Sequence, residues 1–174
     1  MEEKKSIKQK LLPFILCVAV VIIDQVTKLW VVKTIPQNTI YCSFFGDLLR
    51  IIHVRNLGAA FSLGHAMPLV ARKFVFSLLP LLVIIYISKL VYCDNDFTKV
   101  QKWAICGVIG GGIGNLIDRI FRSKGVVDFI DVKFFGIFGL ERWPTFNVAD
   151  AVIVVCGAIL IITYIKMLFT KDKE

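Results

Sequence analysis

The sequence predicts an all-α integral membrane protein whose four transmembrane helices carry a small extracytoplasmic β-hairpin or cradle and an interfacial loop. Hydrophobic residues make up 57% of the 174 residues, and the mean hydropathy of +0.75 is too high for an ordinary soluble domain. Polar segments divide the apolar residues into four runs. A single membrane domain, residues 1–174, accommodates them. The predicted spans are residues 11–33, 74–91, 103–120 and 148–169, with outer loops at residues 34–68 and 121–147.

The first apolar run holds two charges inside the predicted membrane segment. Asp24 and Lys28 are four positions apart, so they share one helix face and can pair. A structural salt bridge that lets both be buried is the favoured interpretation. A role in positioning functional groups is compatible with that pairing.

The segment after the first run has the pattern of a β-hairpin. Two runs rich in β-branched and aromatic residues, 39–45 and 48–55, flank Gly46-Asp47, a pair typical of a two-residue turn. Asn56 and Gly58 follow, and we expect a tight turn there.

The middle two runs carry proline and glycine. Pro80 predicts a kink in the second span. The third span is rich in glycine, but no strand precedes the glycines and no phosphate-loop pattern is present. Gly107, Gly111 and Gly114 lie on one helix face and predict close helix packing in lipid. Asn115, Asp118 and Arg119 continue along that side.

Composition excludes several function classes. The net charge of +8 comes without a basic stripe interleaved with aromatic residues, so we expect anionic lipid headgroups, not nucleic acid, as the partner. Five cysteines without a C-x-x-C pattern predict small packing residues, and His53 and His65 lack metal-ligand spacing. We therefore expect neither a metal nor a cofactor.

Chain order alone brings the polar groups of the spans to one membrane surface. Four spans place both termini on one side, so the outer ends of spans one and three meet the start of span four. The polar residues collected there are Asp24, Lys28, Asn56, Asn115, Asp118, Arg119, Asp128, Asn147 and Asp150. Random placement would scatter such residues over both leaflets, so we predict a functional site at the outer interface.

Orientation is less strongly indicated by charge. Ten of the 21 Lys and Arg residues fall on the side of the termini and eleven on the other. The four lysines before residue 11 favour a cytoplasmic amino terminus, because the first helix usually dominates orientation.

Asp150 lies in the first turn of the fourth span, where a carboxylate is costly. Two aspartates held close together keep one proton between them, and such a pair can hydrolyse a peptide bond without a metal. Spacing leaves Asp128, Asp131 and Asp118 open as the partner of Asp150. It also leaves open that Asp150 only caps its helix.

Five short motifs narrow these alternatives. They are D-Q-x-T-K at 24–28, N-x-G-A-A-F at 56–61, G-x-x-x-N-x-x-D-R at 111–119, V-V-D-F at 126–129 and F-N-x-A-D at 146–150. In this order they resemble the lipoprotein signal peptidases, or signal peptidase II, and the resemblance covers residues 24–150. No motif of that family matches the segment from Asp131 to Thr145.

The resemblance implies an aspartic endopeptidase of the bacterial inner membrane that cuts prolipoproteins before a diacylglyceryl-modified cysteine. We expect a monomer with both termini in the cytoplasm and the active site at the outer leaflet, and the resemblance implies inhibition by globomycin. Asp128 and Asp150 would be catalytic. The residues implied in substrate binding or support are Asp24, Lys28, Asn56, Gly111, Asn115, Asp118, Arg119 and Asn147.

Two other hypotheses come from different function classes. A proton-coupled membrane transporter predicts polar residues along a complete path, whereas the inner halves of these spans are nearly free of acids. A non-enzymatic membrane scaffold predicts that the aspartates only cap and pair.

Overall fold

In a computed structural model of the chain, which describes residues 6–57, 67–93 and 96–171, four helices are long and apolar enough to cross a membrane. Four spans were predicted, and this is confirmed. The described helices are α1 (Ile7–Leu11), α2 (Phe14–Thr34), α3 (Leu69–Lys73), α4 (Leu79–Cys93), α5 (Lys99–Phe121) and α6 (Val148–Lys171). The expected turn at Gly58 lies outside the described residues.

The predicted β-hairpin belongs to a larger sheet of four antiparallel strands, which pair in chain order. The first two strands pair across the Gly46-Asp47 turn. The second outer segment, expected as an interfacial loop, contributes the long third strand and the short fourth. The strands are β1 (Ile40–Phe44), β2 (Leu49–Asn56), β3 (Val126–Ile137) and β4 (Leu140–Arg142).

α5 is the central helix. Its apolar window is 61% buried, against 28% or less for the other three candidate spans. Glycine permits this central position because a Cβ on Gly110 would lie 2.8 Å from the Cys17 carbonyl oxygen of α2, and one on Gly107 would lie 2.4 Å from Cys156 Sγ of α6. The predicted glycine face is closely packed along its length, because a Cβ on Gly111 or on Gly114 would also lie 2.6 Å from its nearest neighbour.

Pro80, for which a kink is predicted, follows a widened helical turn. A π-helical turn, Phe74–Leu78, precedes α4, and the Leu79 amide bonds Phe74, five residues back. Proline lacks an amide hydrogen and crowds the carbonyl four positions earlier, and a wider turn relieves both conflicts.

Two buried apolar clusters hold the helices and the sheet together. One joins α2, α4 and α5 and includes Cys17 and Cys106, whose burial agrees with the expectation that the cysteines are packing residues. The other joins the end of α2 to β3 through Val31, Ile35, Val127 and Phe129. The second cluster seats the start of β3 on the helices, which brings Asp128 to the start of α6.

Candidate active site

Asp150 lies in the first turn of α6 and forms a reciprocal pair with Asn147, the residue before the helix. The Asn147 amide N–H donates to Asp150 Oδ2 at 3.1 Å, and the Asp150 amide N–H donates to Asn147 Oδ1 at 3.1 Å. Ser/Thr/Asn residues at a helix start, with an acid or amide three positions later, satisfy amides that the helix leaves unbonded. Asp150 therefore takes part in capping its helix, as one hypothesis held. Its other carboxyl oxygen, Oδ1, bonds a residue outside α6.

Asp128 reaches the same place from the sheet. It lies on β3 opposite Val54 of β2, and only 3% of its surface is exposed. Asn147 Nδ2 donates to its Oδ1 at 2.7 Å, and Asn56 Nδ2 donates to its Oδ2 at 3.2 Å. One side chain, that of Asn147, therefore contacts both segments that carry the candidate dyad.

The carboxyl group of Asp128 binds its proton more tightly than an ordinary aspartate does. Burial, and then the charge of Asp150, raise the pKa of its carboxyl to about 7, while hydrogen bonds from Asn147 and Asn56 act in the opposite direction. A carboxyl group that stays protonated near neutral pH can donate to a substrate oxygen.

The structure separates the other two candidate partners from Asp150. Asp131, three residues after Asp128, accepts from Arg142 Nε through both oxygens, at 2.8 and 2.7 Å. Asp118 is fully buried and bonds Lys28 and Arg122 instead. Among the described residues, Asn147 is the residue that hydrogen-bonds both Asp150 and another aspartate directly, and that aspartate is Asp128.

Asn115 joins the aspartates to the charges of α2. Lys28 Nζ lies 2.9 Å from Asn115 Oδ1, and Asn115 Nδ2 lies 2.7 Å from Asp150 Oδ1. An ammonium group can only donate, so the oxygen of the Asn115 amide must face Lys28 and its nitrogen must face Asp150. Each Asp150 oxygen therefore accepts a hydrogen bond.

A network of charges lies beneath the dyad. Asp24, Lys28 and Asp118 are each 0% exposed, and Lys28 Nζ lies 2.9 Å from Asp24 and 3.3 Å from Asp118. Arg122 pairs with the far oxygen of Asp118 at 2.8 Å. Two acids and two bases balance, as buried charges require.

Gly111 and Arg119 complete the predicted set. A Cβ on Gly111 would lie 2.6 Å from the Ala149 carbonyl oxygen, so this glycine permits α6 to begin close to α5. Arg119 interacts electrostatically with Asp150 and Asp128. Within the described residues, its Nε has no hydrogen-bond partner.

Sequence reasoning missed three contributors to the site. Gln25 Nε2 bonds the Gly114 carbonyl at 3.0 Å and Asp118 at 3.2 Å. Gly114 itself leaves room for Asp24, whose Oδ2 would lie 2.6 Å from a Cβ there. Arg122 follows Asp118 by four positions, a spacing that signals an ion pair on a helix. The role of Gln25 has no such signal, because its partners are on α5.

Comparisons with known proteins agree on one family. Residues 16–166 match the model described as signal peptidase (SPase) II. Lipoprotein signal peptidase of Treponema pallidum (strain Nichols) is 52% identical over 167 residues, 96% of this chain and 88% of its own length. The same enzyme of Borrelia duttonii (strain Ly) is 49% identical over 154 residues, 88% of each chain.

Two solved structures share the fold. A bacterial membrane enzyme structure obtained by the in meso method at 2.3 Å is 30% identical, with a TM-score of 0.77, and the match covers 100% of this chain and 96% of that one. A second, at 1.9 Å, is 29% identical, with a TM-score of 0.74, and the match covers 95% and 98%.

Proposed function

This chain belongs to the signal peptidase II family, and from that premise we propose that Asp128 and Asp150 are the two carboxyl groups with which it cuts its substrate. The protein is an aspartic endopeptidase that removes signal peptides from prolipoproteins. The observation that carries the assignment of residues is the single amide, Asn147, hydrogen-bonded to both aspartate-bearing segments.

The two aspartates have different tasks. Asp150, whose oxygens both accept hydrogen bonds at the positive end of α6, starts ionised and takes a proton from the attacking water. Asp128 starts protonated and donates to the carbonyl oxygen of the scissile bond. The addition gives a tetrahedral diol with Asp150 protonated and Asp128 ionised.

Collapse of the diol restores both groups. One hydroxyl proton returns to Asp128 as the carbonyl re-forms, the carbon–nitrogen bond breaks, and Asp150 gives its proton to the leaving amine. No metal takes part, so cleavage should persist in the presence of a chelator. The test is cleavage of a purified lipidated prolipoprotein with and without EDTA, and loss of cleavage on chelation would contradict this mechanism.

Arg119 is placed to hold the substrate. Its guanidinium lies in the field of both aspartates, and its Nε makes no hydrogen bond within the described residues. Guanidinium groups donate but never accept, and they do not compete as bases. We assign Arg119 to backbone or ester carbonyl oxygens of the substrate, which bears a diacylglyceryl-modified cysteine just after the scissile bond.

The site lies at the outer leaflet, and both termini are cytoplasmic. Every charged site residue of the spans belongs to the ends that meet the sheet, and the lysines before residue 11 favour a cytoplasmic start. At the tips of the sheet, Phe45 is 82% and Phe138 is 88% exposed. Exposed aromatic rings of this kind suit the membrane interface, so lipid is the partner of these tips.

One chain supplies every proposed site residue, so cleavage needs no residue of a second copy, and we propose that the enzyme acts as a monomer. Globomycin, which inhibits the family that the motifs resemble, is expected to inhibit cleavage by occupying the substrate position beside the dyad. Residual cleavage at saturating globomycin would contradict this expectation.

The cleavage rate will fall at alkaline pH. Asp128 must hold a proton, and burial together with Asp150 raises its pKa to about 7, so the proton is present below that pH and is lost above it. We expect kcat/KM to decrease about tenfold per pH unit above about 7. The groups facing the Asp128 carboxyl are Asp150 of α6, Arg119 of α5, Lys28 of α2, and the amides of Asn147 and Asn56.

The measurement is kcat/KM for a lipidated peptide substrate in detergent micelles from pH 5 to 9. Recovery of full activity on return to acidic pH shows that the loss is a titration and not unfolding. A rate that stays constant up to pH 9 would rule out Asp128 as the proton donor.

A further inference from the structure

Lys28 makes contacts that extend to both halves of the catalytic pair. Its ammonium group is 0% exposed and contacts three side chains, those of Asp24, Asp118 and Asn115, at 2.9, 3.3 and 2.9 Å. A buried ammonium with all its donors satisfied is held in one place.

The first contact of Lys28 continues to α6. Asp24 uses Oδ2 for Lys28 and Oδ1 to accept the Ala149 amide N–H at 3.1 Å. Ala149 immediately precedes Asp150. The carboxylate of Asp24, on α2, therefore bonds the first turn of α6 and fixes the position of Asp150.

The second contact continues to β3 in the same manner. Asp118 Oδ2 accepts both Lys28 Nζ at 3.3 Å and the Val127 amide N–H at 3.0 Å. Val127 immediately precedes Asp128. Each catalytic aspartate therefore directly follows a residue whose backbone N–H donates to a carboxylate, and both of these carboxylates bond Lys28.

We infer that Lys28 is a positioning residue that sets the separation of Asp128 and Asp150 through Asp24 and Asp118, and that polarises Asn115 toward Asp150. This inference deepens the proposed function and rests on it. A pair of carboxyl groups that share a proton needs a fixed spacing, and the two segments that carry them come from a sheet and a membrane helix. The buried charge network supplies a common reference point for both.

Removal of the Lys28 charge should alter the titration of the dyad as well as its geometry. The Lys28 charge favours the ionised form of Asp128, so its loss moves the alkaline limb of the pH–rate profile to higher pH. A residue with a merely structural role would lower the rate at all pH values and leave the limb where it was. The position of the limb does not depend on the fraction of folded enzyme.

The experiment compares Lys28→Met with Lys28→Arg in the purified full chain. For Lys28→Met we expect kcat to fall about 100-fold, as for a small displacement of reacting groups, with KM nearly unchanged. We expect the alkaline limb to move to higher pH. Lys28→Arg, which keeps the charge, should retain the wild-type limb and recover part of kcat.

Lys102→Met is the matched control. Lys102 is also a buried lysine of a membrane helix, but it bonds the Val91 carbonyl oxygen at 3.2 Å and lies near the start of α5, roughly 20 Å along the helix from Asn115. Its replacement should leave the limb unchanged.

An unshifted limb or a wild-type kcat in Lys28→Met would overturn the inference. Variants of the dyad distinguish this failure from failure of the proposed function. If Asp128→Asn and Asp150→Asn are inactive while Lys28→Met keeps the wild-type profile, only the role of Lys28 is wrong. If the two Asn variants are active, the dyad itself is wrong.

Discussion

Asp128→Asn and Asp150→Asn should each lower kcat for prolipoprotein cleavage by about four orders of magnitude, comparable to the loss of a catalytic group in other proteases. Each amide keeps the size of the acid, but it can neither take a proton from water nor give one to the peptide. The measurement is single-turnover cleavage of a lipidated prolipoprotein by each purified variant.

Asp131→Asn is the matched control for these variants. Asp131 lies on the same strand as Asp128 but pairs with Arg142, away from Asn147. We expect its replacement to retain most of the activity. Near-wild-type cleavage by either dyad variant would disprove the assignment.

Gly111→Ala should lower activity by about 100-fold and also lower the midpoint of thermal unfolding. The added Cβ would lie 2.6 Å from the Ala149 carbonyl oxygen and 2.7 Å from Ile153 Cγ1. Backbone cannot rotate away as a side chain can, so α6 must move from α5. Displacement of the reacting groups by about 1 Å is enough for a loss of this size.

Gly157→Ala provides the comparison within α6. A Cβ at Gly157 would meet nothing within 4 Å, so we expect wild-type activity and an unfolding midpoint that is no lower than that of the wild type. Equal effects of the two substitutions would mean that helix packing at Gly111 does not position Asp150.

The sequence was sufficient to predict the membrane helices and the set of polar residues that meet at their ends. Four long apolar runs leave little choice of fold, and four crossings bring Asn115 near Asp150 by order alone. The pairing of Asp24 with Lys28 follows from helix geometry, and the structure shows it at 2.9 Å. These predictions depend on the local periodicity of apolar and polar residues, which can be read from a single sequence.

The partner of Asp150 could not be chosen from spacing. Asp128 and Asp131 differ by three positions, and both are at most 5% exposed. Their difference arises from sheet register, because pairing with β2 places Asp128 beside Asn56 and leaves Asp131 opposite Arg50. Register depends on contacts between distant segments.

The third strand was missed for a related reason. Residues 126–134 are rich in β-branched and aromatic side chains, a composition typical of strands. Most of them are buried on both faces, by the helices and by neighbouring residues, so the apolar–polar alternation expected of a half-exposed strand is lost. The family motif V-V-D-F lies within this strand.

The two hydrogen bonds between Asn147 and Asp150 also fix the rotation of the last membrane helix, α6, about its own axis. An α-helix turns by about 100° per residue, so a start shifted by one position would rotate every later side chain of α6 around the axis. Asn147 bonds both the backbone and the carboxylate of residue 150. If the helix began at any other residue, both of these bonds would be lost. The same carboxyl group that we propose as a catalytic acid therefore also determines which side chains of α6 face lipid and which face α5.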